Sequence, residues 1–174
     1  QTFLEFSKRT VSQARLDIGR RKMKEHGDTF ARAEADYGVP AAVVTAFWAL
    51  ETDFGAVQGD FNTRNALVSL AHDCRRPELF RPQLLSLIKM VADGDVDPQT
   101  NTGAWAGEIG QVQMLPRDII KFGTDGDGDG HVNLKSSEDD VILTAARFIQ
   151  SLGFKRGEPW LQEVTIPQDL PFDK

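Results

Sequence analysis

Apolar residues recur along this chain mostly at helical spacing, in segments divided by Gly, Pro and Asp. Residues 11 to 26 read as a charged amphipathic helix whose sparse apolar positions are Val11, Ile18 and Met23. A helix is predicted from Thr29 to Tyr37, stopped by Gly38, with Pro40 just past the break. Pro40 suits the first turn of the next helix, which runs through Ala41 to about Thr52 and stops near Gly55. Asn65 to Ala71 predicts a short helix, and Pro82 to Ala92 a stronger one carrying Leu84, Leu85, Leu87, Ile88 and Val91. Asp93 to Pro98 is turn chemistry, and Gly103 to Gly110 alternates small residues with Trp105 and Ile109. A short helix over Pro116 to Phe122, an acidic glycine loop and a helix from about Glu138 to Leu152 follow. The last twenty residues, with Pro159, Pro167 and Pro171, read as extended or irregular. No internal repeat and no run of alternating strands occurs, so the predicted class is mainly α.

Within that helical frame one carboxyl group stands out. Counting back three, four and seven residues from Glu51 lands on Trp48, Phe47 and Val44, so the pattern predicts a Glu buried on an apolar helix face. Desolvation disfavours its ionised form, and the negative end of the helix dipole acts in the same direction. A carboxyl group held protonated near neutral pH is a general acid. Asp53 is two residues away and points elsewhere on a helix, and Asp60 sits in the turn Gln58-Gly59-Asp60. Ordinary glycosidases use two carboxyl groups, so a site with one must recruit the substrate itself, for example the acetamido oxygen of an N-acetyl sugar.

Composition narrows the partners. A length of 174 residues allows one sizeable core, and 40% hydrophobic with 26% charged residues is ordinary for a globular chain. The net charge of -6 argues against nucleic acid or an anionic membrane surface as partner. No apolar run reaches bilayer-spanning length, and Gln1-Thr2-Phe3-Leu4-Glu5 carries no signal-peptide pattern. The single cysteine, Cys74, excludes an internal disulfide, and His26, His72 and His131 are too dispersed for a histidine metal cluster.

Three further segments carry candidate chemistry. Asp125, Asp127 and Asp129, with Gly130 and the His131 carbonyl, match the first half of an EF-hand calcium loop. The match fails where Ser136 replaces the closing Glu, and either Asp139 or Asp140 could reach back to complete the sphere. Gly103 to Pro116 lets backbone approach a ligand closely and offers Gln113 as both donor and acceptor, although tight helix packing explains the glycines equally well. Cys74-Arg75-Arg76-Pro77 places two basic residues together in an acidic protein, either as a surface pair or as an anion contact.

Taken in order, Phe47-Trp48-Ala49-Leu50-Glu51-Thr52-Asp53-Phe54-Gly55, Cys74-Arg75-Arg76-Pro77-Glu78-Leu79-Phe80, Gly107 to Pro116 and the Asp125 loop resemble the lytic murein transglycosylase B family of bacteria. The likeness extends to about Phe172 and includes Arg156-Gly157-Glu158-Pro159-Trp160. The resemblance implies a lysozyme-like α fold that cleaves the β-1,4 bond between N-acetylmuramic acid and N-acetylglucosamine in peptidoglycan glycan strands, leaving 1,6-anhydromuramyl products. It implies that Glu51 acts first as acid and then as base, that Gln113 lies near the substrate, and that Arg75 and Arg76 lie toward the peptide stem. It further implies calcium at Asp125, Asp127, Asp129, the His131 carbonyl and Asp140, and a periplasmic or cell-envelope location. Ala104 stands where some members have Ser. Members continue past this length and line their cleft with a later Asn and Tyr, so residues 1–174 are expected to be a catalytic domain lacking that continuation. A hydrolytic muramidase and a non-catalytic peptidoglycan-binding module remain the alternatives.

Overall fold

The computed structural model describes residues 1–159, 161–167 and 169–170; Trp160, Pro171 and Phe172, named above, lie outside them. Its helices are α1 (Phe3–Thr10), α2 (Gln13–Glu25), α3 (Gly27–Tyr37), α4 (Ala41–Thr52), α5 (Thr63–His72), α6 (Pro77–Asp93), α7 (Pro116–Phe122) and α8 (Glu138–Ser151). Two short strands, β1 (Phe61–Asn62) and β2 (Thr102–Gly103), pair antiparallel.

Helix α8 is the centre of the packing. Seven consecutive residues, Asp140 to Ala146, are buried, as befits a helix enclosed on all sides rather than one with a single apolar stripe. It packs against α3, α4 and α7, while α5 and α6 pair beside it and α6 also meets α7. Trp48, Leu67, Leu87, Ile142 and Leu143 are the largest side chains with essentially no exposure, and truncating such a residue costs about 3–5 kcal/mol.

The helix ends follow local chemistry. Thr2 and Glu5 form a capping box on α1, Ser12 caps α2, Asn62 caps α5 and Ser137 caps α8. Gly38 ends α3 in the left-handed conformation, as the sequence predicts. Helix α4 ends less conventionally, because Asp53, Phe54 and Gly55 all have positive φ. That tight reversal directly follows Glu51 and fixes how far its helix can extend.

Three expectations change. Helix α1 has no predicted counterpart; its apolar residues Phe3, Leu4 and Phe6 are exposed, so its capping rather than its burial identifies it. Helix α6 starts five residues before Pro82, with Pro77 at its first turn and Pro82 inside it. An interior proline costs one backbone hydrogen bond, which the packing of α6 against α5 and α7 offsets. The β1–β2 pair is too short for alternation to reveal, and it is held from outside by Lys135, whose ammonium donates to the Thr102 carbonyl at 2.6 Å.

Candidate active site

Glu51 stands on α4 at the mouth of a cleft of about 230 Å³ lined by Phe47, Glu51, Glu108, Val112, Gln113, Met114, Leu115, Asp118 and Phe148. The buried face of α4 is made by Val44, Thr45, Trp48, Ala49 and Thr52. Glu51 lies at the edge of that face, beside Phe47, and is exposed by surface area. The expectation of a buried carboxyl is therefore corrected: the helix rotates its apolar stripe toward Thr52, leaving Glu51 at the border of core and cleft. The cleft walls still withdraw water from the group. This desolvation raises its pKa above the ordinary carboxyl value, and the charge of Glu108 adds to the effect.

The segment from Ala104 to Leu115 forms the facing wall. The Ala104 N–H donates to the Glu108 carbonyl at 2.9 Å, and Ile109 bridges to Met114 in an antiparallel pair. Gly107, at φ 91°, presses on Leu67 so closely that a Cβ there would come within 2.3 Å of Leu67 Cδ2. The glycines thus serve close backbone approach, as the sequence suggested, but against the core rather than the ligand.

Two glutamines divide the work of this wall. Gln113 has a φ of 48°, and its side-chain N–H donates to the carbonyls of Gly110 at 2.9 Å and Gln58 at 3.2 Å. Its donor is spent internally, so the amide oxygen is what it offers the cleft. Gln111, which sequence reasoning missed, is buried and joins the wall to α4. It accepts from Trp48 Nε1 at 2.9 Å, its carbonyl accepts from the Thr52 hydroxyl, and its amide donates to the Lys135 carbonyl at 3.2 Å. The two glutamines flanking Val112 were the available signal. Glu108, also missed as a site residue, could have been noticed as the acid inside a small-residue apolar run.

Asp53 and Asp60 do not serve as partners for Glu51. Asp53 accepts from Arg15 Nε at 2.9 Å, on the α2 side of the helix, and Asp60 is exposed just before β1. Ala104 lines neither this cleft nor its neighbour and contributes through its backbone.

Arg75 and Arg76 line a second cavity of about 270 Å³ with Leu70, Asp73, Phe80 and Trp105. Arg75 is clamped by Asp73 through Nε at 3.0 Å and Nη2 at 2.7 Å. These bonds hold the Asp73 carboxyl at a pKa of about 2. Arg76 begins α6 as its N-cap residue.

The acidic loop forms a separate centre. Carboxylate oxygens of Asp125, Asp127 and Asp140 lie within 4.8 Å of one another. Of the two acids that the sequence left open, Asp140 is the one in this group: it is 1% exposed and its two oxygens accept from Gly126 N at 2.7 Å and Asn133 N at 2.6 Å. Asp139 instead accepts from Thr29 at 2.6 Å and faces His26 at 3.1 Å. Asp129 is outside the three-carboxylate group; its oxygen accepts from His131 N at 2.8 Å, and the His131 ring meets Asp95 at 2.9 Å. A cluster of hard oxygen donors of this kind fits a calcium ion.

Comparison with known proteins places this geometry in context. The family described as Transglycosylase SLT domain matches residues 1–174, the whole chain. The chain belongs to the transglycosylase SLT domain family. It is 29% identical over 157 residues to membrane-bound lytic murein transglycosylase B of Escherichia coli (strain K12), spanning 90% of this chain and 43% of that relative. Among solved structures of SLT-domain proteins, SltB3 from Pseudomonas aeruginosa in complex with NAG-NAM-pentapeptide matches with TM-score 0.86 and 31% identity, over 95% of this chain and 44% of the other. The Escherichia coli lytic transglycosylase SLT35 in complex with calcium matches with TM-score 0.85 and 29% identity, over 90% of this chain and 50% of the other. This SLT domain therefore spans about half the length of the relatives it matches. No helix among its described residues is long and apolar enough to cross a membrane.

Proposed function

We propose that this SLT domain is the catalytic part of a peptidoglycan lytic transglycosylase of the cell envelope, cleaving the β-1,4 bond between N-acetylmuramic acid and N-acetylglucosamine. The observation that carries the reading is Glu51 at a cleft mouth with its pKa raised, in a chain matched end to end by the family. Protonated Glu51 gives its proton to the glycosidic oxygen as the bond from C1 to that oxygen breaks. The resulting carboxylate then takes the proton of the muramyl C6 hydroxyl as that oxygen bonds to C1. Proton and bonds balance without water, and the product is a 1,6-anhydro sugar.

Gln113 presents its amide oxygen to the sugar, and the Arg75–Arg76 cavity would receive an anionic peptide stem. Ala104 offers no hydroxyl to an N-acetyl group. A calcium ion at Asp125, Asp127, Asp129, the His131 carbonyl and Asp140 would supply positive charge tying the loop to α8. Asp140 already closes that loop through Gly126 and Asn133. The cleft is completed, in this reading, by residues of a longer protein.

A second reading, hydrolysis by water, draws support from Glu108, a second carboxyl group in the Glu51 cleft. Mass spectrometry of products from purified sacculi separates the two. Anhydromuropeptides are expected; products heavier by one water would establish the muramidase, and no release by the longer protein would leave a binding module.

A further inference from the structure

Every charged side chain lining the Glu51 cleft is acidic among the described residues: Glu51 from α4, Glu108 from the facing wall and Asp118 from α7. Three cations of the surrounding helices are directed elsewhere. Arg147 of α8 reaches the Gly123 carbonyl at 3.3 Å, Lys121 of α7 lies over the Phe122 ring, and Arg15 of α2 is bound to Asp53 behind the helix. From α8 only Phe148 faces the cleft.

Glu108 is the unusual member of this set. It is half-buried, and its Oε2 is enclosed without a hydrogen-bond partner. An acid retained only for the turn would not need its side chain there, because the turn is made by the Ala104 N–H and the Glu108 carbonyl. Enclosing a carboxyl oxygen without a partner is costly, so position 108 holds a polar group that packing alone does not explain.

We propose that Glu108 is a positioning residue for the reaction assigned above: its uncompensated charge keeps the proton on Glu51 until the glycosidic oxygen accepts it, and holds the cleft negative as positive charge gathers on the sugar ring. This inference rests on the transglycosylase reading of the Glu51 cleft. Two carboxyl groups lining one cleft resist being ionised together, so the charge of one retains the proton of the other. Once Glu51 has given its proton away, the same field favours an oxocarbenium-like ring and raises the basicity with which Glu51 recovers the C6 hydroxyl proton.

The test compares wild-type protein with Glu108→Gln and Glu108→Asp, using carbon NMR of the Glu51 carboxyl against pH together with turnover of purified sacculi. The Gln variant should move the Glu51 titration to lower pH and lower kcat about threefold or more on the alkaline side, with KM little changed and the acid-side rate retained. The Asp variant, which keeps the charge, should restore both. A Glu51 titration identical in wild type and Glu108→Gln overturns the proposal, as does an Asp variant that behaves like Gln. Equal melting temperatures exclude misfolding as the cause, and if Gln unfolds, the Asp variant against Glu108→Ala decides by the same titration. The NMR arm needs no turnover, so a wild-type protein inactive on sacculi would sink the functional assignment while leaving the Glu51–Glu108 coupling measured.

Discussion

The Glu51 cleft and the Asp125 loop are both gatherings of carboxyl groups, and the structure treats them in opposite ways. In the loop, backbone N–H groups reach the acids: Asp125 accepts from Gly128 at 2.6 Å and Gly130 at 2.9 Å. These bonds, chiefly that from Gly130, hold the Asp125 carboxyl below its usual pKa. In the cleft, the walls offer Phe47, Val112, Met114 and Phe148, and Glu51 is driven upward by desolvation. The difference teaches that charge density alone does not distinguish a cation site from a proton donor. The supply of N–H donors does.

Breaking the cleft side should have the largest effect. Glu51→Gln keeps shape but has no proton to give, and turnover of sacculi should fall about a thousandfold or more with an unchanged melting temperature. Activity of Glu51→Gln within tenfold of wild type would remove Glu51 from its role.

On the loop side, Asp140→Ala should leave Gly126 N and Asn133 N without acceptors in a partly buried site. That should cost about 3 kcal/mol in chemical denaturation, and a loss below 1 kcal/mol would mean that water replaces the carboxylate easily.

Calcium should raise the loop's contribution by mass action, about 2.7 kcal/mol at a hundredfold excess over its Kd, and chelator should reverse it. Coincident melting curves with calcium and with excess chelator would count against a site.

Titration should give the smallest signals, and of opposite sign. Glu51 has a raised folded pKa, so its contribution is fully present below the unfolded carboxyl value and is lost as pH rises through the folded one. Asp125 has a lowered folded pKa, so its contribution is present above the unfolded value and is lost as pH falls through the folded one. Stability curves of Glu51→Gln and Asp125→Asn should therefore depart from wild type at opposite ends of the acidic range. Departures at the same end would erase the contrast.

Much of this was readable from residue order. Helices α3 and α4 follow the apolar period because one face of each is buried, α8 reads as helix from its nearly unbroken apolar stretch, and Gly38 ends α3 where predicted. The grouping of Asp125 with Asp127 was legible because both lie in one short segment, whereas Asp140 joins them from α8. Glu51 was found for a partly wrong reason, since spacing gives the side of a helix but not which part of an apolar stripe faces the core. Helix α1 escaped because its apolar residues bury nothing, and the early start of α6 because Pro82 resembles a first-turn residue. Gln111 and Glu108 acquire meaning only from what lies across from them in space.

The bonds of Gln111 make position 111 hard to vary. Asparagine would fall a methylene short of bridging Trp48 and Lys135, and glutamate would set an acceptor against the Lys135 carbonyl. A leucine of similar bulk would leave the indole N–H unanswered. A mutational scan of this chain should therefore show at residue 111 a tolerance as narrow as at residue 51, although one residue lines the cleft and the other does not.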